Sequence, residues 1–178
     1  MKTNFDPSVV LVIQHEGGYD DDPRDSGNWT GGTVGVGELK GTKFGIDCAS
    51  YPELDIVNLT IDEAKIIYKN DYWDEVQGDE LPAGVDYATM DFGVNSGVGS
   101  ASKYLQQIVG SPVDGVIGPH TLACVTQMDS ATIVNLICNN RAEFLKGIGT
   151  FPIYGKGWLS RVEDVRRVSL QMIKGGST

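Results

Sequence analysis

The sequence predicts a mainly α-helical fold of about seven helices, with at most one small β-hairpin in the 30–46 region. Apolar residues recur at helical spacing over most of the chain, and helix-capping residues precede these segments. Residues 19–51 are the exception, because they are rich in Gly and Asp and show no helical period. Within them, alternation at residues 33–36 and a short run at 44–46 predict two small strands.

The composition of the 178 residues excludes several classes of protein. Hydrophobic residues make up 40% and charged residues 21%, which is typical of a soluble globular domain. No apolar run approaches the roughly 18 residues that a membrane-spanning helix needs, so we expect no stable membrane insertion. The formal net charge of −10 argues against nucleic acid as a partner, since no basic patch offsets it.

The first predicted helix starts at Asp6 and Pro7, a good cap followed by a residue suited to the first turn. It ends at Gly17 and Gly18, because glycine adopts the left-handed conformation that closes a helix. One face of this helix is formed by residues at positions i, i+4, i+7, i+8 and i+11, namely Phe5, Val9, Val12, Ile13 and Glu16.

Glu16 is the one acidic residue on this otherwise apolar face. A carboxylate on the core side is costly unless it is paired or protonated. A carboxyl group that is half-buried at the lip of a cleft has a raised pKa and can donate a proton near neutral pH. We therefore interpret Glu16 as a candidate general acid.

Caps and helix breakers predict the other helices. Thr60 and Glu63 have the spacing of a capping box, which predicts a helix at 61–72. Pro82 favours the start of a helix that reaches about residue 95. The remaining predicted helices are 101–109, 118–127, a longer one that follows Asp129 or Ser130, and 158–174 after a loop at 147–157.

An acidic segment, residues 20–25, follows the first helix. Its spacing does not match a calcium-binding loop, because Arg24 interrupts the acids and no Glu closes the loop at the twelfth position. We therefore predict no metal site. Asp25 lies close enough in sequence to fold back beside Glu16, where it can position water or stabilise a developing positive charge. Two carboxylates that flank a cleft are typical of glycoside hydrolysis.

Asp91 and Asn95 are four residues apart on the helix predicted at 82–95, so they share a face. A polar pair on a largely apolar helix is either a buried structural network or a sugar-binding edge. The residues alone leave both alternatives open.

Six segments, in order along nearly the whole chain, carry a resemblance to a known family. The chain resembles the bacterial and phage N-acetylmuramidases of glycoside hydrolase family 108, which are lysozyme-like endolysins. The matching segments are Glu16-Gly17-Gly18-Tyr19 with Asp22-Pro23 and Asp25, Gly41-Thr42-Lys43-Phe44-Gly45-Ile46, Asp71-Tyr72-Trp73, Asp91-Phe92-Gly93-Val94-Asn95-Ser96-Gly97, Asp114-Gly115-Val116-Ile117-Gly118-Pro119-His120-Thr121-Leu122, and Gly157-Trp158-Leu159-Ser160-Arg161-Val162.

This resemblance implies a lysozyme-like fold and cleavage of the β-1,4 bond between N-acetylmuramic acid and N-acetylglucosamine. It implies that Glu16 is the proton donor and that Asp25, nine residues on, is its partner. Members of the family often have, beside this pair, a threonine in the loop that follows the aspartate. The resemblance assigns this position to Thr42, with Thr30 and Thr33 as alternatives, because this chain has extra residues between Gly27 and Gly41. We assign substrate binding to four residues: Tyr19, Phe44 (where many members have Tyr), Asp91 and Asn95.

The resemblance also implies one lysozyme-like domain over residues 1–178. Its catalytic lobe would be 1–97, and its helical lobe, 98–178, would carry a peptidoglycan-binding motif. We expect a monomer that needs no cofactor and whose partners are the glycan strands of peptidoglycan. The first apolar stretch is too short for a signal peptide. We therefore expect a cytoplasmic protein that reaches the cell wall through a holin or another secretion route.

Two alternative functions remain. A lytic transglycosylase uses a similar acid without water and gives 1,6-anhydro products. A non-catalytic peptidoglycan-binding module would bind cell walls and release nothing soluble. Product analysis separates all three functions.

Overall fold

A computed structural model describes residues 4–175 and confirms a mainly α-helical fold. Seven α-helices lie within these residues, in the number that the sequence predicts. They are α1 (Phe5–Glu16), α2 (Ile61–Tyr68), α3 (Val85–Ser96), α4 (Val98–Val109), α5 (Pro119–Val125), α6 (Ser130–Lys146) and α7 (Phe151–Gly175). A short 3₁₀ helix, Ser26–Asn28, and a π-helical turn, Lys69–Trp73, complete the helical elements.

The β-structure is a three-stranded antiparallel sheet of very short strands, larger than the single hairpin expected. Its strands are β1 (Tyr19–Asp20), β2 (Thr42–Lys43) and β3 (Ile46–Asp47), in the order β1-β2-β3. The strand predicted at 33–36 is wrong, and of the strand predicted at 44–46 only Ile46 lies in a strand. The backbone turns at 33–36, because the N–H of Val36 donates to the carbonyl of Thr33 at 3.0 Å and Gly35 has a φ of +79°.

The chain forms two compact units. One is Asp6–Tyr68, which holds nearly all of α1, the sheet and α2, and the other joins residues 69–175 with residues 4–5. The lobe boundary expected between residues 97 and 98 stays a prediction.

In the first unit, the apolar face of α1 is buried as predicted. Val9 and Val12 are fully buried and Ile13 is 9% exposed. Gly17 follows the helix with a φ of +86°, and its N–H donates to the carbonyl of Ile13 at 3.3 Å. Gly17 therefore ends the helix as the sequence predicts, directly after Glu16.

In the second unit, α3 is the central helix. It packs against α4, α6 and α7, and the residues from Val85 to Gly93 are all buried. Helix α6 begins as predicted, because the carboxylate of Asp129 accepts the N–H of Thr132 at 2.8 Å. This packing explains why α3 is apolar over most of its surface.

Helix α7 begins at Phe151, so the loop predicted at 147–157 is largely wrong. Pro152 lies in the first turn, where its missing N–H costs no helical hydrogen bond. Gly155 is buried beneath the ring of Phe151, where a methyl group would lie 2.6 Å from a ring carbon. Packing of these aromatic residues therefore outweighs the weak helix propensity of glycine.

Among residues 4–175, no single helix has the length and apolar character needed to cross a membrane. Only α5 and α6, bent by 110° at their junction, meet these criteria as a pair.

Candidate active site

Glu16 is the last residue of α1, and its side chain is half-buried. Its stem lies directly against the turn that joins β2 and β3. A methyl group added at Gly45, in that turn, would lie 2.8 Å from Cγ and 2.9 Å from Cβ of Glu16. The absence of a side chain at Gly45 therefore allows the acid to sit where it does.

The turn beneath Glu16 has an unusual backbone. Phe44 and Gly45 have φ values of +56° and +76°, as in the tight turns that fit the twist of a two-residue hairpin. A positive φ is uncommon for a bulky residue such as Phe44 and indicates local strain. Tyr68, which is almost fully buried, donates its hydroxyl hydrogen to the carbonyl of Phe44 at 2.8 Å. Helix α2 thereby holds the turn in place.

Gly45→Ala is expected to lower activity well beyond its effect on stability. The new methyl group would overlap both the stem of Glu16 and the hydroxyl of Tyr68, which lies 2.7 Å from the methyl position. A displacement of about 1 Å at a reacting group can lower a rate about 100-fold. The measurement is the hydrolysis rate per folded molecule, together with the free energy of unfolding.

Gly35→Ala is the matched control for this substitution. Gly35 has a φ of +79°, so alanine meets the same backbone penalty, of about 1–2 kcal/mol. Nothing lies within 4 Å of its methyl position. Equal rates for the two variants would contradict a role for Gly45 in seating Glu16.

Thr42 lies on the central strand, opposite Asp20 of β1 and Asp47 of β3. Its hydroxyl donates to Oδ1 of Asn28 at 2.7 Å. Asn28, which is fully buried, donates from Nδ2 to Oδ2 of Asp20 at 3.1 Å. Thr42 thus belongs to a hydrogen-bonded chain in the same unit as Glu16.

The rival threonines lie in the loop between β1 and β2. The hydroxyl of Thr30 accepts the N–H of Glu38 at 2.9 Å, and the carbonyl of Thr33 closes a turn with Val36. Both residues therefore make hydrogen bonds within this loop, which we call the inserted loop. The role carried to Thr42 stays a prediction.

Asp25 is exposed, and it caps the 3₁₀ helix Ser26–Asn28. Its Oδ1 accepts the N–H of Gly27 at 2.9 Å. This cap holds the 3₁₀ helix that ends at Asn28. Its second role, as the partner of Glu16, stays a prediction.

Tyr19 and Phe44 present partly accessible rings on the sheet. Tyr19 is 42% exposed, and its ring lies against Gly41, where a methyl group would be 2.7 Å from a ring carbon. Phe44 is half-buried, with the ammonium of Lys43 lying 5.4 Å from its ring centre. Both rings are of the kind that stacks on sugars.

The acidic loop after β1 is organised by an ion pair. The guanidinium of Arg24 contacts the carboxylate of Asp22 at 2.6 Å, and its hydrogen bonds lower the pKa of Asp22 to about 2. Across residues 4–175, no group of three or more His, Cys, Asp or Glu side chains is arranged to hold a metal ion.

Comparison with known proteins places this geometry in a family. A family model described as Glycosyl hydrolase 108 matches residues 9–97, half of the chain. The chain belongs to this family. The solved structure of SagA from Brucella abortus is similar at 41% sequence identity, over 97% of this chain and 97% of that one, with a TM-score of 0.82. No curated protein matches.

The match fixes the class of chemistry. This family 108 protein is a glycoside hydrolase, and peptidoglycan is its substrate class. The matched residues, 9–97, include the end of α1, all three strands and α2.

One substrate-binding assignment in the family 108 enzyme is wrong. Asp91 is fully buried, and its two oxygens contact the guanidinium groups of Arg141 at 2.6 Å and Arg161 at 2.9 Å. Burial alone would raise the pKa of Asp91, but the two arginines outweigh it and hold that pKa below its usual value. Its oxygens are committed to this network and offer no surface to a sugar.

Asn95 differs from Asp91 although both lie on α3. It is exposed at the last turn of the helix, and its Oδ1 accepts the hydroxyl hydrogen of Ser96 at 3.1 Å. Its assignment to substrate binding stays a prediction.

Sequence reasoning missed three residues that contact the predicted site residues: Asn28, Gly45 and Tyr68. Gly45 was missed because the run at 44–46 predicts a strand, and Phe-Gly is not one of the pairs that favour a two-residue turn. Tyr68 lies within the helix predicted at 61–72, where its spacing is that of an ordinary core residue. Nothing near Asn28 distinguished it from an ordinary loop asparagine.

Proposed function

We propose that this enzyme hydrolyses the β-1,4 bond between N-acetylmuramic acid and N-acetylglucosamine, with Glu16 as general acid. The observation that carries the proposal is the position in which the structure holds the side chain of Glu16. The backbone of Glu16 ends α1, and the stem of its half-buried side chain lies against a strained turn that Tyr68 anchors. A general acid requires such a fixed position.

The reaction begins with transfer of a proton from Glu16 to the glycosidic oxygen. The bond from that oxygen to the anomeric carbon of the muramic acid breaks, and positive charge develops on the sugar ring. Water then bonds to the anomeric carbon. Thr42 and Asp25 are the residues that we propose to position this water.

The charge of the unit supports such a transition state. Residues 6–68 contain twelve Asp and Glu residues but only four Lys and Arg residues. A negative field around the site favours the developing positive charge of an oxocarbenium-like sugar.

Digestion of purified sacculi is expected to yield soluble fragments that end in reducing N-acetylmuramic acid. Mass spectrometry after borohydride reduction identifies these ends, and sacculi incubated without enzyme are the control. Ends of the 1,6-anhydro type would show a lytic transglycosylase. Reducing N-acetylglucosamine ends would show cleavage of the other glycosidic bond. Either product, as the major one, would overturn the proposed reaction.

The cell wall is the proposed site of action, because the substrate lies there. Release through a holin or another secretion route and a monomeric state stay predictions.

A further inference from the structure

Asn28 is a buried side chain whose amide makes three hydrogen bonds. It is 0% exposed, and its Nδ2 donates to Oδ2 of Asp20 and to the backbone carbonyl of Asp22, each at 3.1 Å. Its Oδ1 accepts the hydroxyl of Thr42 at 2.7 Å.

These partners fix the direction of the amide. A carbonyl oxygen can only accept a hydrogen bond, so the carbonyl of Asp22 requires the NH₂ group of Asn28 on its side. The carboxylate of Asp20 requires the same orientation. Oδ1 of Asn28 must therefore face Thr42.

The direction of the amide in turn fixes the hydroxyl of Thr42. Oδ1 of Asn28 carries no hydrogen, so the hydrogen between these two oxygens belongs to Thr42. The oxygen of Thr42 is left with lone pairs only. Toward any further partner it is an acceptor.

We infer that Asn28 is a positioning residue, which makes Thr42 an acceptor for the attacking water. The inference rests on the proposed function. Thr42 accepts one hydrogen of the water and so turns a lone pair of the water oxygen toward the anomeric carbon. The water oxygen bonds to that carbon, whose bond to the leaving oxygen is broken. The proton released by the water replaces the one that Glu16 gave up.

The carboxylate of Asp20 strengthens this arrangement. Hydrogen bonds with an ionised partner are about twice as strong as neutral ones, and successive bonds in a chain polarise each other. The chain Asp20–Asn28–Thr42 therefore holds the hydroxyl in one orientation while the substrate binds.

Asn28 also supports the backbone. The backbone carbonyl of Asn28 accepts hydrogen bonds from the N–H groups of Lys40 and Gly41, each at 3.1 Å. These bonds do not use the side chain, so a side-chain substitution leaves them possible. The test must still separate catalysis from stability.

A double-mutant cycle with Asn28→Ala and Thr42→Val separates catalysis from stability. The kcat of each variant is measured on soluble glycan-strand fragments and corrected for the fraction of folded protein. Each single variant is expected to lose about 10- to 100-fold in kcat, with a smaller change in KM. The double variant is expected to be no slower than Thr42→Val alone, because Asn28 acts through Thr42. Asn58→Ala, at an exposed asparagine of the same unit, makes the same change as Asn28→Ala and is the matched control, expected to stay near the wild-type rate.

Asn28→Asp gives a second readout, the pH dependence of kcat. This readout can still be measured if Asn28→Ala does not fold. A buried carboxyl beside Asp20 has a raised pKa, and in its protonated form it again donates to Asp20 and accepts from Thr42. The ratio of variant to wild-type kcat is therefore expected to rise as the pH falls from 7 to 5.

Additive losses in the cycle, or a ratio that stays flat with pH, would overturn the positioning role. Glu16→Gln is assayed alongside. If Glu16→Gln is active, the proposed function fails. If it is inactive while the cycle is additive, only the role of Asn28 fails.

Discussion

Glu16→Gln is expected to abolish the lysis of purified cell walls while leaving the fold intact. The amide has nearly the shape of the carboxyl group, so the contact of the stem with Gly45 is preserved. It has no acidic proton to transfer to the glycosidic oxygen. General acid catalysis contributes about 10²- to 10⁴-fold to a rate, and we expect a loss within that range or larger.

The measurement is the loss of turbidity of sacculi together with the release of soluble muropeptides. Glu53→Gln, at an exposed glutamate of the same unit, makes the same change of charge and is the matched control. Its rate is expected to equal that of the wild type. An unchanged melting temperature and unchanged sedimentation with cell walls would show that Glu16→Gln affects neither folding nor binding.

A rate for Glu16→Gln within about threefold of the control would contradict the general-acid role, since that role requires a much larger loss. Lysis restored by added azide or formate would instead point to Glu16 as a base or nucleophile.

The position of Glu16 could be predicted because local signals decide it. Helix α1 is fixed by an apolar face with a period of 3.6 residues and by two glycines at its end. These signals lie within fourteen residues of one another. The same reasoning predicted the capping box of α2. The structure confirms it, because the N–H of Thr60 donates to the carboxylate of Glu63 at 2.9 Å and the N–H of Glu63 donates to the hydroxyl of Thr60 at 3.3 Å.

The sheet could not be predicted in the same way. Each strand has only two residues, too few to show an alternating pattern. The partner of β2 on one side is β1, some twenty residues earlier, across the inserted loop. Pairing over such a distance depends on the folded loop, and with it on Asn28, which joins residues 20–22 to residues 40–42.

Asp91 shows why spacing alone leaves a role open. Its four-residue separation from Asn95 is equally compatible with a buried network and with an exposed edge. The groups that decide between them, Arg141 and Arg161, are 50 and 70 residues away in sequence. Tertiary packing of α3 with α6 and α7 makes Asp91 structural.

Asp91→Asn is expected to lower the free energy of unfolding by about 3–5 kcal/mol, because it leaves buried positive charge without its counterion. Arg141 is 2% exposed and Arg161 is 14% exposed, so water cannot replace the lost carboxylate at Arg141. The measurement is urea unfolding near neutral pH.

Asp164→Asn is the matched control, since it breaks a surface pair. Asp164 contacts Arg167 at 3.3 Å, with the side chains 49% and 61% exposed, and we expect a loss below about 1 kcal/mol. Equal losses for the two variants would contradict the assignment of Asp91 to a buried network.

The pH dependence provides an independent check on Asp91. Because its pKa is lower in the folded protein than in the unfolded chain, the contribution of its charge is complete above the unfolded pKa. That contribution is lost as the pH falls through the folded pKa. The difference in unfolding free energy between the wild type and Asp91→Asn is therefore expected to be constant near neutral pH and to shrink under acidic conditions. A difference that grew on acidification would mean that the two arginines do not hold Asp91 in its ionised form.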